Sequence, residues 1–151
     1  MKMRWRPEFN TGINVIDEQH KKILNYINEL ECGNGQTDRQ KIKKILDQLI
    51  EYTQSHFSFE ESLQKEVNYQ FHIPHKRVHD LFLKKIENYR LRFEEGEDIH
   101  RELHEILAKW LINHIQYDDS GYVEAVKQSL EHHGLVQPPA QKSGWLSRWF
   151  G

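Results

Sequence analysis

The sequence predicts an all-α protein, an up-down-up-down four-helix bundle with a short C-terminal tail. Four segments repeat apolar residues at helical spacing, no segment alternates as a strand would, and the connections are short enough for consecutive helices to pack antiparallel. A chain of 151 residues, 37% hydrophobic and 29% charged, can fill one such core. The expected organisation is a bundle over residues 1–135, then a linker and amphipathic tail over 136–151.

The first helix follows the turn-like Asn10-Thr11-Gly12 and aligns Ile16, Ile23, Ile27 and Leu30 before Gly33-Asn34-Gly35 stops it. Thr37 as N-cap, with Gln40 three residues on, reads as a capping box for the second helix. Its stripe runs through Ile42, Leu46, Leu49, Thr53 and Leu63 to an end near Val67. Pro74 suits a helix's first turn, where its missing N–H leaves nothing unpaired, and Val78, Phe82, Ile86, Tyr89 and Phe93 then keep helical spacing. Asp98 is the expected N-cap of the fourth helix, which aligns Leu103, Leu107, Trp110 and Leu111 and resumes after Gly121 until Gly134. Beyond it Pro138-Pro139 marks a linker, and Trp145, Leu146, Trp149 and Phe150 share one face of a short tail, with Lys142 and Arg148 nearby. That tail is expected to dock to a membrane surface or a partner protein.

Charge and cysteine content narrow the function. Lys and Arg number 21 against 23 Asp and Glu, which leaves no basic stripe to follow a phosphate backbone, so nucleic acid is not an expected partner. Cys32 is alone, which excludes an internal disulfide and any thiolate-rich metal site. The N-terminus has no apolar leader and no stretch reaches the roughly 18 apolar residues of a membrane span, so a cytoplasmic protein is expected.

The informative residues are the ten histidines. His20 falls between Ile16 and Ile23 on the buried stripe of the first helix. His56 and Glu60 extend the stripe of the second, His75 and His79 lead into that of the third, and His114 follows Trp110 and Leu111 on the fourth. A lone inward His is as often a hydrogen-bonded core residue as a ligand. Five of them with a Glu are different, because each buried polar group left unpaired costs about 1–3 kcal/mol, and several would exhaust an ordinary folding stability of about 5–15 kcal/mol. A shared metal satisfies them together. Imidazole and carboxylate without thiolate suit iron or another first-row transition metal, and the ligands are too many for one ion. His100 and His104 also lie four apart, but roughly 15–20 Å along the helix from His114, too far to share its metal. His72, His132 and His133 read as helix-end or surface residues.

Four ordered motifs now carry a family resemblance: Gly12-Ile13 and Ile16-Asp17 with Gln19-His20-Lys21; Tyr52-Thr53 with His56-Phe57 and Glu60-Glu61; His75-Lys76 with His79; and Trp110-Leu111 with His114-Ile115. From Trp5 to about Gly134 the chain resembles the bacteriohemerythrins of the hemerythrin family. The resemblance implies two iron ions (Fe2+/Fe3+) bridged by a Glu, an Asp and an oxo or hydroxo group, and reversible binding of dioxygen. Carried over, His75, His79 and His114 bind one iron, His20 and His56 bind the other, and Glu60 bridges them. For the bridging Asp, helical periodicity from His114 favours Asp118, whereas the family register, fixed by Tyr122, gives Asp119. Asp119 requires the helix to loosen before Gly121. The Glu-x-x-His spacing of carboxylate-rich diiron oxidases occurs only at Glu97 and His100, away from these residues, which favours a binding protein over an enzyme. The alternative is a diiron peroxidase or a nitric-oxide or oxygen reductase on the same ligands. Gln64 departs from the Met this family usually places four residues after the bridging Glu; its amide is expected near the interior, where it can donate to bound peroxide or hold a water.

Overall fold

The computed structural model describes residues 2–31 and 38–132. After a short 3-10 turn at Pro7–Phe9 come α1 (Asn14–Glu29), α2 (Arg39–Glu66), α3 (His72–Glu94) and α4 (His100–Asn113). A five-residue π turn, His114–Asp118, joins α4 to α5 (Ser120–His132). The last three segments form one interrupted helix, so the chain is an all-α, up-down-up-down four-helix bundle, with no strand among the described residues. Among those residues no helix is long and apolar enough to cross a membrane. The stop at Gly33-Asn34-Gly35 and the tail with Trp145, Leu146, Trp149 and Phe150 lie outside the described residues.

The predicted stripes face inward because hydrophobic burial rewards them. Ile16, Ile23, Ile27, Leu30, Leu63, Leu103 and Leu107 are each fully buried, and each such side chain contributes roughly 1.5–3 kcal/mol. The apolar interior is split in two. One cluster gathers Ile23, Leu46, Leu49, Phe57, Phe82, Leu107 and Leu111 with their neighbours, towards the α1–α2 and α3–α4 connections. The other joins Ile13, Ile16, Phe59, Leu63, Tyr122, Val126 and Leu130 at the opposite end. Between them lies the layer holding the inward histidines.

Three local expectations change. Val78 is 40% exposed, because His75 and His79 take the inward positions one turn apart and Val78 rotates onto the flank of α3. The N-cap of α2 is Asp38, whose carboxylate accepts the Gln40 amide N–H at 2.9 Å; the expected cap, Thr37, lies outside the described residues. Asp98 does not cap α4, which starts at His100 behind Ile99; the Asp98 carboxylate instead accepts from His100 Nδ1 at 2.5 Å.

The start of α1 is fastened by Asp17. Its carboxylate accepts the Thr11 N–H at 2.8 Å, the Thr11 hydroxyl at 2.7 Å and the Gly12 N–H at 3.3 Å. Gly12 has φ +86, and a Cβ there would lie 2.7 Å from Lys127 Nζ, so both conformation and space ask for glycine. This explains why Gly12 and Asp17 belong to the same motif: together they aim α1, and with it His20, into the bundle.

Candidate metal centre

Each helix delivers its ligand candidates at the same level. α1 supplies His20; α2 supplies His56 and Glu60, one turn apart; α3 supplies His75 and His79, also one turn apart; and the interrupted helix supplies His114 and Asp119. All seven are between 0% and 7% exposed. Two sets of their donor atoms converge, His20, His56, Glu60, His114 and Asp119 in one, and Glu60, His75, His79 and His114 in the other.

The two carboxylates stand between the imidazoles. Glu60 Oε1 lies 2.5 Å from His56 Nε2, 3.0 Å from His114 Nε2 and 3.7 Å from His20 Nε2, while its Oε2 lies 3.1 Å from His79 Nε2 and 3.5 Å from His75 Nε2. Asp119 divides similarly, with Oδ2 3.0 Å from His20 and 3.1 Å from His114, and Oδ1 3.5 Å from His75. Each carboxylate therefore offers one oxygen to each side. His114 is shared, since it belongs to both sets of converging donors.

The π turn puts Asp119 there. Its N–H bonds to the His114 carbonyl at 2.9 Å, five residues back instead of four. A regular helix would have stacked Asp118 over His114; the extra residue in the turn brings Asp119 round to the interior.

Protonation fits metal ligation. Burial pulls His114 down to about 3 and takes His20 below the usual imidazole range, so both stay neutral and keep a lone pair near neutral pH. Burial alone would raise Glu60, but the His56 and His114 imidazoles packed against it outweigh burial and hold the carboxyl well below its usual range. The Nε2 atoms of His20, His75 and His79 and Glu60 Oε2 are buried without a hydrogen-bond partner. Unpartnered lone pairs converging on one buried centre are what a cation satisfies.

The hemerythrin HHE cation binding domain matches residues 11–126. The chain belongs to the hemerythrin family. It is 44% identical over 144 residues to the bacteriohemerythrin of Pseudomonas aeruginosa, spanning 95% of this chain and 92% of that protein. The bacteriohemerythrin of Stenotrophomonas maltophilia is 42% identical over the same shares. A crystal structure of wild-type hemerythrin matches with a TM-score of 0.78 and 30% identity over 83% of this chain and 98% of that one.

The hemerythrin bundle also supplies a second layer that spacing alone did not assign. His56 Nδ1 donates to Gln19 Oε1 at 2.6 Å, and His79 Nδ1 donates to Glu61 Oε2 at 3.1 Å. Each bond fixes the tautomer and turns Nε2 inward. Burial would lower His79, but the Glu60 and Glu61 carboxylates beside it outweigh burial and raise it, so this imidazole is the more basic donor. Gln19 and Glu61 both stood in the motifs, beside a ligand and pointing away from it along the helix. The available signal was that a neighbour offset by one position can reach the outer nitrogen of an imidazole on the next helix. Ring stacking supports His79 from a second side, through Phe57 at 3.8 Å and 2°, and orients one further candidate, His114, against Trp110 at 4.8 Å and 17°. His100 and His104 join neither set of converging donors among the described residues. We expect Glu61→Gln and Gln19→Leu each to weaken metal retention by on the order of 10–100-fold in competition with a chelator; unchanged retention in both would mean that stacking alone orients the ligands.

Proposed function

We propose that this chain holds two iron ions bridged by Glu60, Asp119 and an oxo or hydroxo group, and that it binds dioxygen reversibly. The observation that carries this reading is the division of each carboxylate's two oxygens between opposite sets of imidazoles, which suits two ions better than one. In the proposed assignment His75, His79 and His114 would hold one iron, and His20 and His56 would hold the other, leaving it with fewer protein donors to take up dioxygen. The iron pair would supply the two electrons that dioxygen binding requires.

The protein's own part is exclusion and orientation. Ile23, Phe57, Leu111 and Ile115, all buried in one apolar cluster, wall off the side of the centre towards the α3–α4 connection. These four side chains offer water no hydrogen bond, so the surface they present favours a small apolar guest over water. Gln19 and Glu61 hold their imidazoles from behind, so no ligand must reorient when the gas enters or leaves.

Iron analysis of the purified protein should return a ratio near two per chain. Oxygen added to the reduced protein should then give a stable spectrum that reverts under vacuum. A ratio near one, or tightly held zinc, would overturn the iron pair. Direct decay to the ferric state would instead favour the enzyme reading, a peroxidase or a nitric-oxide or oxygen reductase.

A further inference from the structure

Gln64 is fully buried on α2, and neither its amide nitrogen nor its amide oxygen has a hydrogen-bond partner. It follows Glu60 by one turn, about 6 Å further along the axis. The direction of that step decides what it can touch. α2 and the interrupted α4–α5 helix run parallel to one another, since both are antiparallel to α3. On α2 the apolar Phe57 precedes Glu60 and Gln64 follows it; on the other helix the apolar Leu111 precedes His114 and Tyr122 follows Asp119. Gln64 and Tyr122 are therefore on the same side of the centre, opposite the wall of Phe57, Leu111 and Ile115.

Tyr122 is fully buried as well, packed in the second apolar cluster with Leu63, the residue before Gln64. Its ring meets the His75 ring edge-on at 5.5 Å, which brings it against the centre, and its buried hydroxyl has no hydrogen-bond partner. The centre thus has an apolar ceiling and a polar floor. A buried water needs two to four polar partners, and the amide nitrogen, the amide oxygen, the phenol and a carboxylate oxygen provide that number.

We propose that Gln64 and Tyr122 hold one ordered water beneath the Glu60 and Asp119 carboxylates, and that Gln64 acts on the centre through this hydrogen bond and not by touching dioxygen. A hydrogen bond donated to a ligating carboxylate withdraws charge from it, so a metal held by that carboxylate is harder to oxidise. Gln64 is a positioning residue in this account. The redox consequence rests on the proposed iron pair; the water does not.

Two readouts test it on the metal-loaded protein. Crystal structures of the parent and of Gln64→Met should show a water within hydrogen-bond distance of Gln64 and of a carboxylate oxygen in the parent, and none in the variant. Redox titration of Gln64→Met should shift the reduced-to-oxidised ratio at fixed potential about threefold to tenfold towards the oxidised form, the size of one lost hydrogen bond. Tyr122→Phe, which removes only the phenol oxygen, should shift it the same way. Absence of the water from the parent overturns the proposal, and so does an unchanged titration in both variants. If the parent holds no iron pair, the proposed function fails on its own, and the water is still read from the crystal structure.

Discussion

Removing the metals is expected to lower the thermal midpoint by about 8–16 °C. The interior layer contains five imidazoles and two carboxylates between 0% and 7% exposed, and several of their atoms have no partner within the protein. A ligand that binds only the folded state stabilises it by about 4 kcal/mol at a thousandfold excess over its Kd. A chain of this size loses roughly 2–4 °C of midpoint per kcal/mol, which gives the range stated. Calorimetry before and after exhaustive chelation measures it, and restoration of the midpoint by ferrous iron under anaerobic conditions completes the comparison. Equal midpoints would mean that the histidine layer is stable without a cation, through hydrogen bonds among its own members.

The second large effect separates two neighbouring residues. Asp119→Ala should abolish retention of at least one metal ion, because Asp119 faces His20 and His114 with one oxygen and His75 with the other. Asp118→Ala should leave the metal content near that of the parent. Metal analysis after gel filtration distinguishes them. The reverse order would show that straight helical periodicity governs the centre in solution and that the π turn does not persist there.

Much of the bundle was legible because burial leaves a period in the sequence. Ile16, Ile23 and Ile27 on α1, Ile42, Leu46 and Leu49 on α2, and Leu103 and Leu107 on α4 keep helical spacing, and the structure buries them all. Periodicity fails where two neighbours compete for one inward position. Val78 fits the stripe as well as His79 does, and only packing against α2 and the centre decides between them. Caps were legible in type and not in position: Thr37, Asp38 and Asp98 are all good cap residues, and the choice depends on where the backbone turns. The inward histidines and Glu60 could be read from spacing. Asp119 could not, since the π turn breaks the period at the point of interest, and only the family register pointed to it. Gln19 and Glu61 escaped because their partners are on other helices, at separations of 37 and 18 residues, which no local pattern encodes.

The single extra residue in the π turn has a consequence beyond the carboxylate it delivers. An α-helix advances about 100° per residue, so a helix containing one inserted residue has two angular phases, one before the insertion and one after it. Leu103, Leu107 and Leu111 set the phase of α4, whereas Tyr122, Val126 and Leu130 set that of α5, and both sets are buried. Deleting one residue between His114 and Tyr122 would restore a regular helix and turn the whole of α5 by roughly 100°, carrying Tyr122, Val126 and Leu130 away from Ile13, Ile16 and Leu63. The chain length across this turn is thus fixed twice, by the carboxylate at the centre and by the packing of the far end of the bundle. A shorter or longer connection would have to solve both problems at once, which makes the irregular turn a point where the helix cannot drift back to regularity by small steps.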